Sequence, residues 1–318
     1  MNYRRTVSSV NRYLCTSLMC ALLVSSGIVL PPQAHSEDNF QLTMGYSPGI
    51  YQTAPGKDIM AAVSVLMKKI SWKYFGKSEA RYYDNMSEMA ADLKSGTLDV
   101  ACLPPEEFIY LRNRAPLEPV LVTSTSNGHE AELLLLTRSD SGIHAIGELR
   151  NRSIVMPQSP SGSNSMFRVW VETMLMRAGH RNIASFFSTV KETQTASRAV
   201  MPVFFRQAAA CVVTRDVFNL TRELNPQIGK ELTAIANITG LSQGIISVNQ
   251  NLPEKIKKKI SQAFLALRES PDGKQLLMLF QVNAVVPFRP EYLRAMEELF
   301  GEHQRLQARF ARKAGPHQ

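Results

Sequence analysis

Between Met156 and Arg168 the chain reads M-P-Q-S-P-S-G-S-N-S-M-F-R, with five short polar side chains in seven residues: Ser159, Ser161, Ser163, Asn164 and Ser165. Any of them suits a helix N-cap. The first backbone N–H groups of a helix lack partners within it and lie at the positive end of its dipole. Hydroxyls beside such a terminus make a site for a small oxyanion. Gly162 lets the backbone approach a ligand closely. The plainer reading is a serine-rich cap with no ligand.

The flanks support a strand-to-helix turn here. Ser153–Met156 is a short apolar run that reads as a buried strand. After it, Phe167, Val169, Trp170, Val171, Met174, Leu175 and Ala178 recur at helical spacing. The same alternation runs along the chain. Strands are expected at Phe40–Gly45, Glu79–Tyr83, Leu98–Leu103, Leu117–Thr123 and Glu132–Arg138, with helices at Asp58–Phe75, Ser87–Gly96 and from Pro104. A second series places strands at Ser185–Val190, Ala208–Val213, Leu232–Ile238 and Gly244–Asn249, with helices at Thr195–Arg206 and Thr214–Leu224. The rest is expected to be helical: Pro253–Glu269, Asp272–Val282 and Pro290–Ala311. This order predicts two α/β units, each a mostly parallel sheet flanked by helices. The first lobe is expected over residues 37–135 and 245–318, the second over 136–244. They would be joined by two strand crossings, near Leu133–Thr137 and Gly244–Val248, and would close about that hinge.

In such sheets ligands bind beyond the carboxyl ends of the strands. The loops that converge there nominate Ser47, Pro105, Glu106, Ser159, Ser161, Gly162, Ser163, Asn164, Thr193, Gln194 and Thr214 as ligand-binding residues. Glu106 and Glu107 could form a carboxylate pair, but a first helical turn favours acids for dipole reasons alone. The six histidines are scattered, none with a second ligand at zinc spacing, so no metal and no cofactor is expected. No G-x-S-x-G elbow is present, and a serine hydrolase is not indicated.

Residues 1–36 have the pattern of a cleaved signal peptide. Arg4, Arg5 and Arg12 precede an apolar core at Leu18–Leu30, which is shorter than the roughly 20 residues of a membrane span. Pro31 and Pro32 follow, and Ala34-His35-Ser36 fits a cleavage site before Glu37. Loss of this segment removes three arginines and no acid, so the net charge falls from +9 to 9 − 3 = +6. No basic stripe is interleaved with aromatics, and nucleic acid is not expected as a partner. The mature part would keep Cys102 and Cys211, each in an apolar run, which excludes a disulfide framework. Lys255, Lys257, Lys258 and Lys259 read as the solvated face of a helix.

Four segments resemble one family. They are Leu98–Phe108 (L-D-V-A-C-L-P-P-E-E-F), Thr137–Leu149 (T-R-S-D-S-G-I-H-A-I-G-E-L), Met156–Gly162, and Gly244–Asn249 with Asn251-Leu252-Pro253. Together they are similar to the phosphate/phosphite/phosphonate-type periplasmic solute receptors of ABC importers. The resemblance implies the two-lobed type II periplasmic-binding-protein fold, a monomer, a small anionic solute and an ABC permease as partner. The chain departs from the family pattern at Pro104 (glycine), Phe108 (tyrosine), Pro160 (threonine) and Thr193 (histidine). A second reading follows from those departures: a receptor-like protein with an altered or lost ligand that reports to a membrane sensor kinase.

Overall fold

A computed structural model describes residues 40–50, 56–126, 128–159 and 164–313. The first series runs β1 (Gln41–Tyr46), α1 (Gly56–Phe75), β2 (Lys77–Tyr82), α2 (Met86–Ser95), β3 (Val100–Leu103), α3 (Pro105–Leu111) and β4 (Leu117–Ser124). The second runs β5 (Glu130–Arg138), β6 (Ser153–Pro157), α4 (Met166–Arg177), α5 (Ile183–Phe186), β7 (Thr189–Thr193), α6 (Ala196–Phe204), β8 (Ala210–Thr214), α7 (Arg215–Leu224), α8 (Pro226–Glu231) and β9 (Leu232–Ser242). Then come β10 (Ile245–Asn249), α9 (Glu254–Leu265), α10 (Pro271–Leu279), β11 (Ala284–Pro287) and α11 (Arg294–Lys313).

The strands form two sheets, ordered β11-β4-β10-β3-β1-β2 and β7-β6-β8-β5-β9. Both are mixed. In the first, β1 pairs in parallel with β2 and β3, while β10 lies antiparallel between β3 and β4 and β11 runs antiparallel to β4. In the second, β6 is parallel to β7 and β8, and β5 is antiparallel to β8 and β9. The expectation of mostly parallel sheets therefore holds only around β1 and β6, since each returning strand enters antiparallel. Each sheet is covered on both faces. Against the first, α1, α9 and α10 bury Met44, Val100, Ile246 and Phe264, while α2 and α3 bury Met89, Leu93 and Phe108. Against the second, α4 buries Phe167 and Trp170, while α6 and α7 bury Val200, Val203 and Phe218.

Local chemistry sets the element ends. Asn85 accepts the Ser87 N–H at 2.8 Å to start α2, and Gly96, at φ 74°, ends it in a left-handed cap. Asn182 accepts the Ser185 N–H at 2.9 Å and starts α5. The strand expected at Ser185–Val190 is accordingly the helical turn α5 followed by β7, at the sheet edge. Asn249 is the buried staple of the first sheet. Its amide donates to the carbonyls of Leu93 and Leu98 at 2.6 and 3.2 Å.

The lobe limits read from the sequence differ from this arrangement in two places. Strand β5 lies in the second sheet along its whole length, because Glu130 through Arg138 pair with β9. The first link between the sheets is thus residues 125–129, upstream of 133–137; the second is Gln243-Gly244. The C-terminal helix also changes sides. Met296 and Leu299 of α11 join Phe167 and Trp170 in the core of the second sheet, whereas Leu293, just before α11, packs with Phe108 and Leu111 of the first. The segment from Phe288 to Leu293 is therefore a third link. Among the described residues no helix is long and apolar enough to cross a membrane.

Candidate functional site

One cavity of about 820 Å³ opens between the two sheets. From the first sheet it is lined by Tyr82, Asp84, Glu106, Thr123 and Thr125; from the second by Gln158, Ser159, Gln194, Thr214 and Asp216. Gln243 and Gly244, on the second link, close its side. A deeper part runs into the first sheet's own core, toward α9 and α10.

Two helices begin at the cavity wall. Ser165 caps α4, its hydroxyl accepting the Arg168 N–H at 3.3 Å, and both Ser159 and Met166 reach the cavity. Thr214 caps α7 through the Val217 N–H at 3.4 Å. The positive ends of both dipoles thus meet the same space. Among the described residues that line the cavity none is Lys, Arg or His, and the acidic ones are Asp84, Glu106 and Asp216. Arg215, next to the α7 cap, is turned onto Glu132 by two hydrogen bonds of 2.7 Å. Among the described residues, positive potential in the cleft therefore comes from backbone N–H groups.

Glu106 is the most unusual group there. It is 5% exposed, and one carboxyl oxygen has no hydrogen-bond partner among the described residues. Burial, and then the neighbouring Glu107, push its pKa up to about 8, while the N–H groups of Glu106 itself and of Met166 favour the ionised form. A neutral Glu106 presents an O–H donor to the cleft. Tyr82 is raised to about 12, by burial first and then by Asp84. Cys102, also in the wall, is raised to about 12 by burial.

The nominated residues divide into three groups. Pro105, Glu106, Ser159, Gln194 and Thr214 line the cavity. Three others are turned elsewhere or stand apart from it. Ser47 is fully buried and accepts the Gly49 N–H at 3.1 Å; Thr193 donates to the Thr195 carbonyl at 3.0 Å; Asn164 is exposed just before the α4 cap. Ser161, Gly162 and Ser163 lie outside the described residues. Sequence reasoning did not nominate Gln158, Asp84 or Gln243. Gln158 was signalled by its place directly before the serine run, and Gln243 by its place on a crossing. Gln243, on the second link, donates to Asp216 of α7 at 3.4 Å.

The D-S-G turn that carried much of the resemblance is a structural fastener. Arg138 and then Arg206 hold the Asp140 carboxyl well below the usual carboxylate range, and Gly142 takes φ 69°. No group of His, Cys, Asp and Glu that could hold a metal occurs among the described residues.

Comparison with known proteins supplies the context. A search of curated proteins finds no match. Several solved structures share the fold. XAC2383 from Xanthomonas citri bound to ATP is 16% identical, with a TM-score of 0.62 over 84% of this chain and 98% of that one. The binding protein component of an ABC phosphonate transporter from Pseudomonas aeruginosa is 14% identical, with a TM-score of 0.62 over 84% and 87%. PhnD1 from Prochlorococcus marinus, in complex with methylphosphonate, is 15% identical, with a TM-score of 0.63 over 83% and 98%. These likenesses place the chain in the two-lobed type II periplasmic-binding-protein fold. The model of one family, described as ABC transporter, phosphonate, periplasmic substrate-binding protein, matches residues 50–293. Two mixed α/β sheets around a shared cleft, and a family match over most of the chain, show that this protein belongs to the periplasmic substrate-binding proteins of ABC phosphonate transporters.

Proposed function

We propose that this protein captures an oxyanion-bearing, phosphonate-like solute in the cleft between its two sheets and delivers it to an ABC permease. The observation that carries the reading is the opening of the α4 N-terminus, with Ser159 and Met166, onto a cavity shared by both sheets. The oxyanion sits against the first N–H groups of α4 and the hydroxyls of Ser159, Ser161 and Ser163, with Gln194 and Thr214 beside it. Glu106, neutral below its raised pKa, donates rather than repels. The bodies built on residues 40–124 with 245–287, and on 130–242 with 294–313, close over the solute. A bound solute must prefer the closed form for closure to follow.

The protein acts as a monomer that binds and releases its solute unchanged. It reaches the periplasm on a leader, residues 1–36, that is removed before Glu37. The family description names an ABC transporter, and the alternative of a membrane sensor kinase as partner draws nothing from it. Thermal melts with methylphosphonate, phosphate and chloride test the solute. A ligand at 100 times its dissociation constant adds about 2.7 kcal/mol of stability. A shift with either phosphorus oxyanion and none with chloride is expected; no shift at millimolar methylphosphonate or phosphate would overturn the oxyanion reading.

A further inference from the structure

Helices α1, α9 and α10 lie side by side over one face of the first sheet and bury Leu66, Met67, Ile260 and Leu276 against it. Lys69 of α1 meets Asp272 of α10 at 3.3 Å, and the Lys259 ammonium of α9 lies 5.3 Å from the centre of the Phe75 ring of α1. The outward sides of the three helices thus form one surface, and its charge is lopsided. Residues 60–77 and 254–279 hold ten basic side chains and three acidic ones, 10 − 3 = +7, while everything after residue 36 sums to +6. This layer therefore carries the whole positive excess. Lys257 is buried and bound to Glu118 and Glu254 at 2.7 and 3.0 Å, so it takes no part in the surface. The exposed ammonium groups are Lys68, Lys69 and Lys73 of α1, Lys255 and Lys258 of α9, and Lys274 of α10. Charge alone would suit a solvated face, but apolar side chains stand in the same surface, one from each helix. Met278 is 73% exposed, Val65 58% and Leu265 36%. They are three of the six large apolar side chains exposed among the described residues.

We infer that this face docks on an anionic phospholipid surface, with its lysines on the lipid phosphates and Met278, Val65 and Leu265 in the headgroup boundary. Basic surface with apolar projections is the chemistry that such a boundary takes up. The ammonium groups are spread over three helices. Mobile lipid phosphates can rearrange to meet each of them, whereas a protein partner would need acids in matching register. None of the exposed lysines or the three apolar residues lines the cavity, so docking and solute binding use different surfaces. The inference is independent of which solute the cleft takes.

Co-sedimentation with vesicles tests this, using protein recovered after export without residues 1–36. One set of vesicles is phosphatidylcholine alone and the other contains about one-third phosphatidylglycerol. Wild type should bind the anionic vesicles, leave the neutral ones, and bind more weakly as salt screens the charges. A lysine close to such a surface is worth about fivefold in affinity. The triple variant Lys68→Glu, Lys73→Glu, Lys258→Glu should therefore lose at least about a hundredfold. A control with the same change in net charge, Lys94→Glu, Arg150→Glu, Lys230→Glu, alters exposed residues of other elements and should lose less than tenfold. Val65→Ser with Met278→Ser should lower binding severalfold at a salt concentration where wild type still binds. All variants share one N-terminus, so the leader cannot cause a difference. The wild-type result is decisive even if a variant folds poorly. No binding to anionic vesicles at low salt would overturn the inference and leave the face to solvent or to an acidic protein. Equal binding to neutral vesicles, or equal losses in the two charge variants, would also overturn it.

Discussion

The Glu106 carboxyl, on the first turn of α3, meets the Met166 backbone N–H, on the first turn of α4. The two helices belong to different sheets, so a side chain of one body lies on the helix terminus of the other. That terminus is where the solute's oxyanion is proposed to sit. Among the described residues, the other titratable groups around Glu106 are Glu107 on its own helix, Tyr82 and Cys102 of the first sheet, Asp84 just after β2, and Asp216 from α7. Arg168 of α4 is held by Glu172 and Glu192 at 3.4 and 3.8 Å. None of these brings a positive charge to Glu106, so its ionisation leaves a net negative group at the α4 terminus.

Binding of methylphosphonate should therefore weaken as pH rises through about 8, because an ionised Glu106 competes for the same N–H groups. Titrations at pH 6.5, 7.5, 8.5 and 9.5 would show the fall, and Glu106→Gln should hold its pH 6.5 affinity to pH 9.5. Stability moves the same way. The folded pKa lies above the unfolded 4.5, so the folded state binds more protons between the two values, and stability declines from about pH 4.5 to about 8. Glu106→Gln should gain on wild type in melts across that window. A pH-independent difference would show that Glu106 is ionised throughout.

Ser161→Ala and Ser159→Ala should each weaken oxyanion binding by about ten- to a hundredfold, since a hydrogen bond to a charged group contributes roughly 1.5–3 kcal/mol. Ligand-free melting should hardly change, because Ser165 is the residue that caps α4. Affinity unchanged in both variants, by calorimetry, would move the oxyanion away from this turn.

Asn249→Ala should cost about 1–3 kcal/mol in urea unfolding, as it strips the amide donor from two buried carbonyls. Binding should be untouched, since Asn249 lies away from the cavity.

Much of this architecture is legible in the sequence. Apolar strand runs and capped helices give the α/β order, and the serine run after β6 marks a helix start that does open on the cleft. What escaped has physical reasons. Strand β7, T-V-K-E-T, is an exposed edge with no apolar run, while Phe186 and Phe187 before it imitate a strand but belong to a turn capped by Asn182. The four residues of β11 follow a helix too closely to stand out. The amphipathic stripe of α11 shows that one face is buried but carries no sign of which sheet covers it. Glu106 looks like an ordinary first-turn acid, because its partner at Met166 lies 60 residues on.

On α11 itself, His303 and Glu172 of α4 are 2.9 Å apart and both largely buried. Glu172→Leu should lose about 1–3 kcal/mol in denaturant unfolding by leaving the imidazole without that partner, and Glu172→Gln should lose less. Equal losses would show that packing rather than the hydrogen bond matters.

Native Cys102 and Cys211 should not react with an aromatic disulfide reagent at pH 8, and both should react after unfolding. Both are buried free thiols whose ionisation is suppressed by burial. Fast labelling of Cys102 alone would reveal solvent entry from the cleft into the core of the first sheet.

The side change of the chain before α11 also governs assembly order. The core of the second sheet contains Met296 and Leu299, which are synthesised more than fifty residues after that sheet's last strand, β9. A chain emerging from a ribosome or a translocation channel exposes the matching faces of Phe167 and Trp170 until nearly its whole length has passed. Both halves of the receptor must therefore mature together, and a chain arrested after β11 would present a large sticky surface to chaperones and proteases.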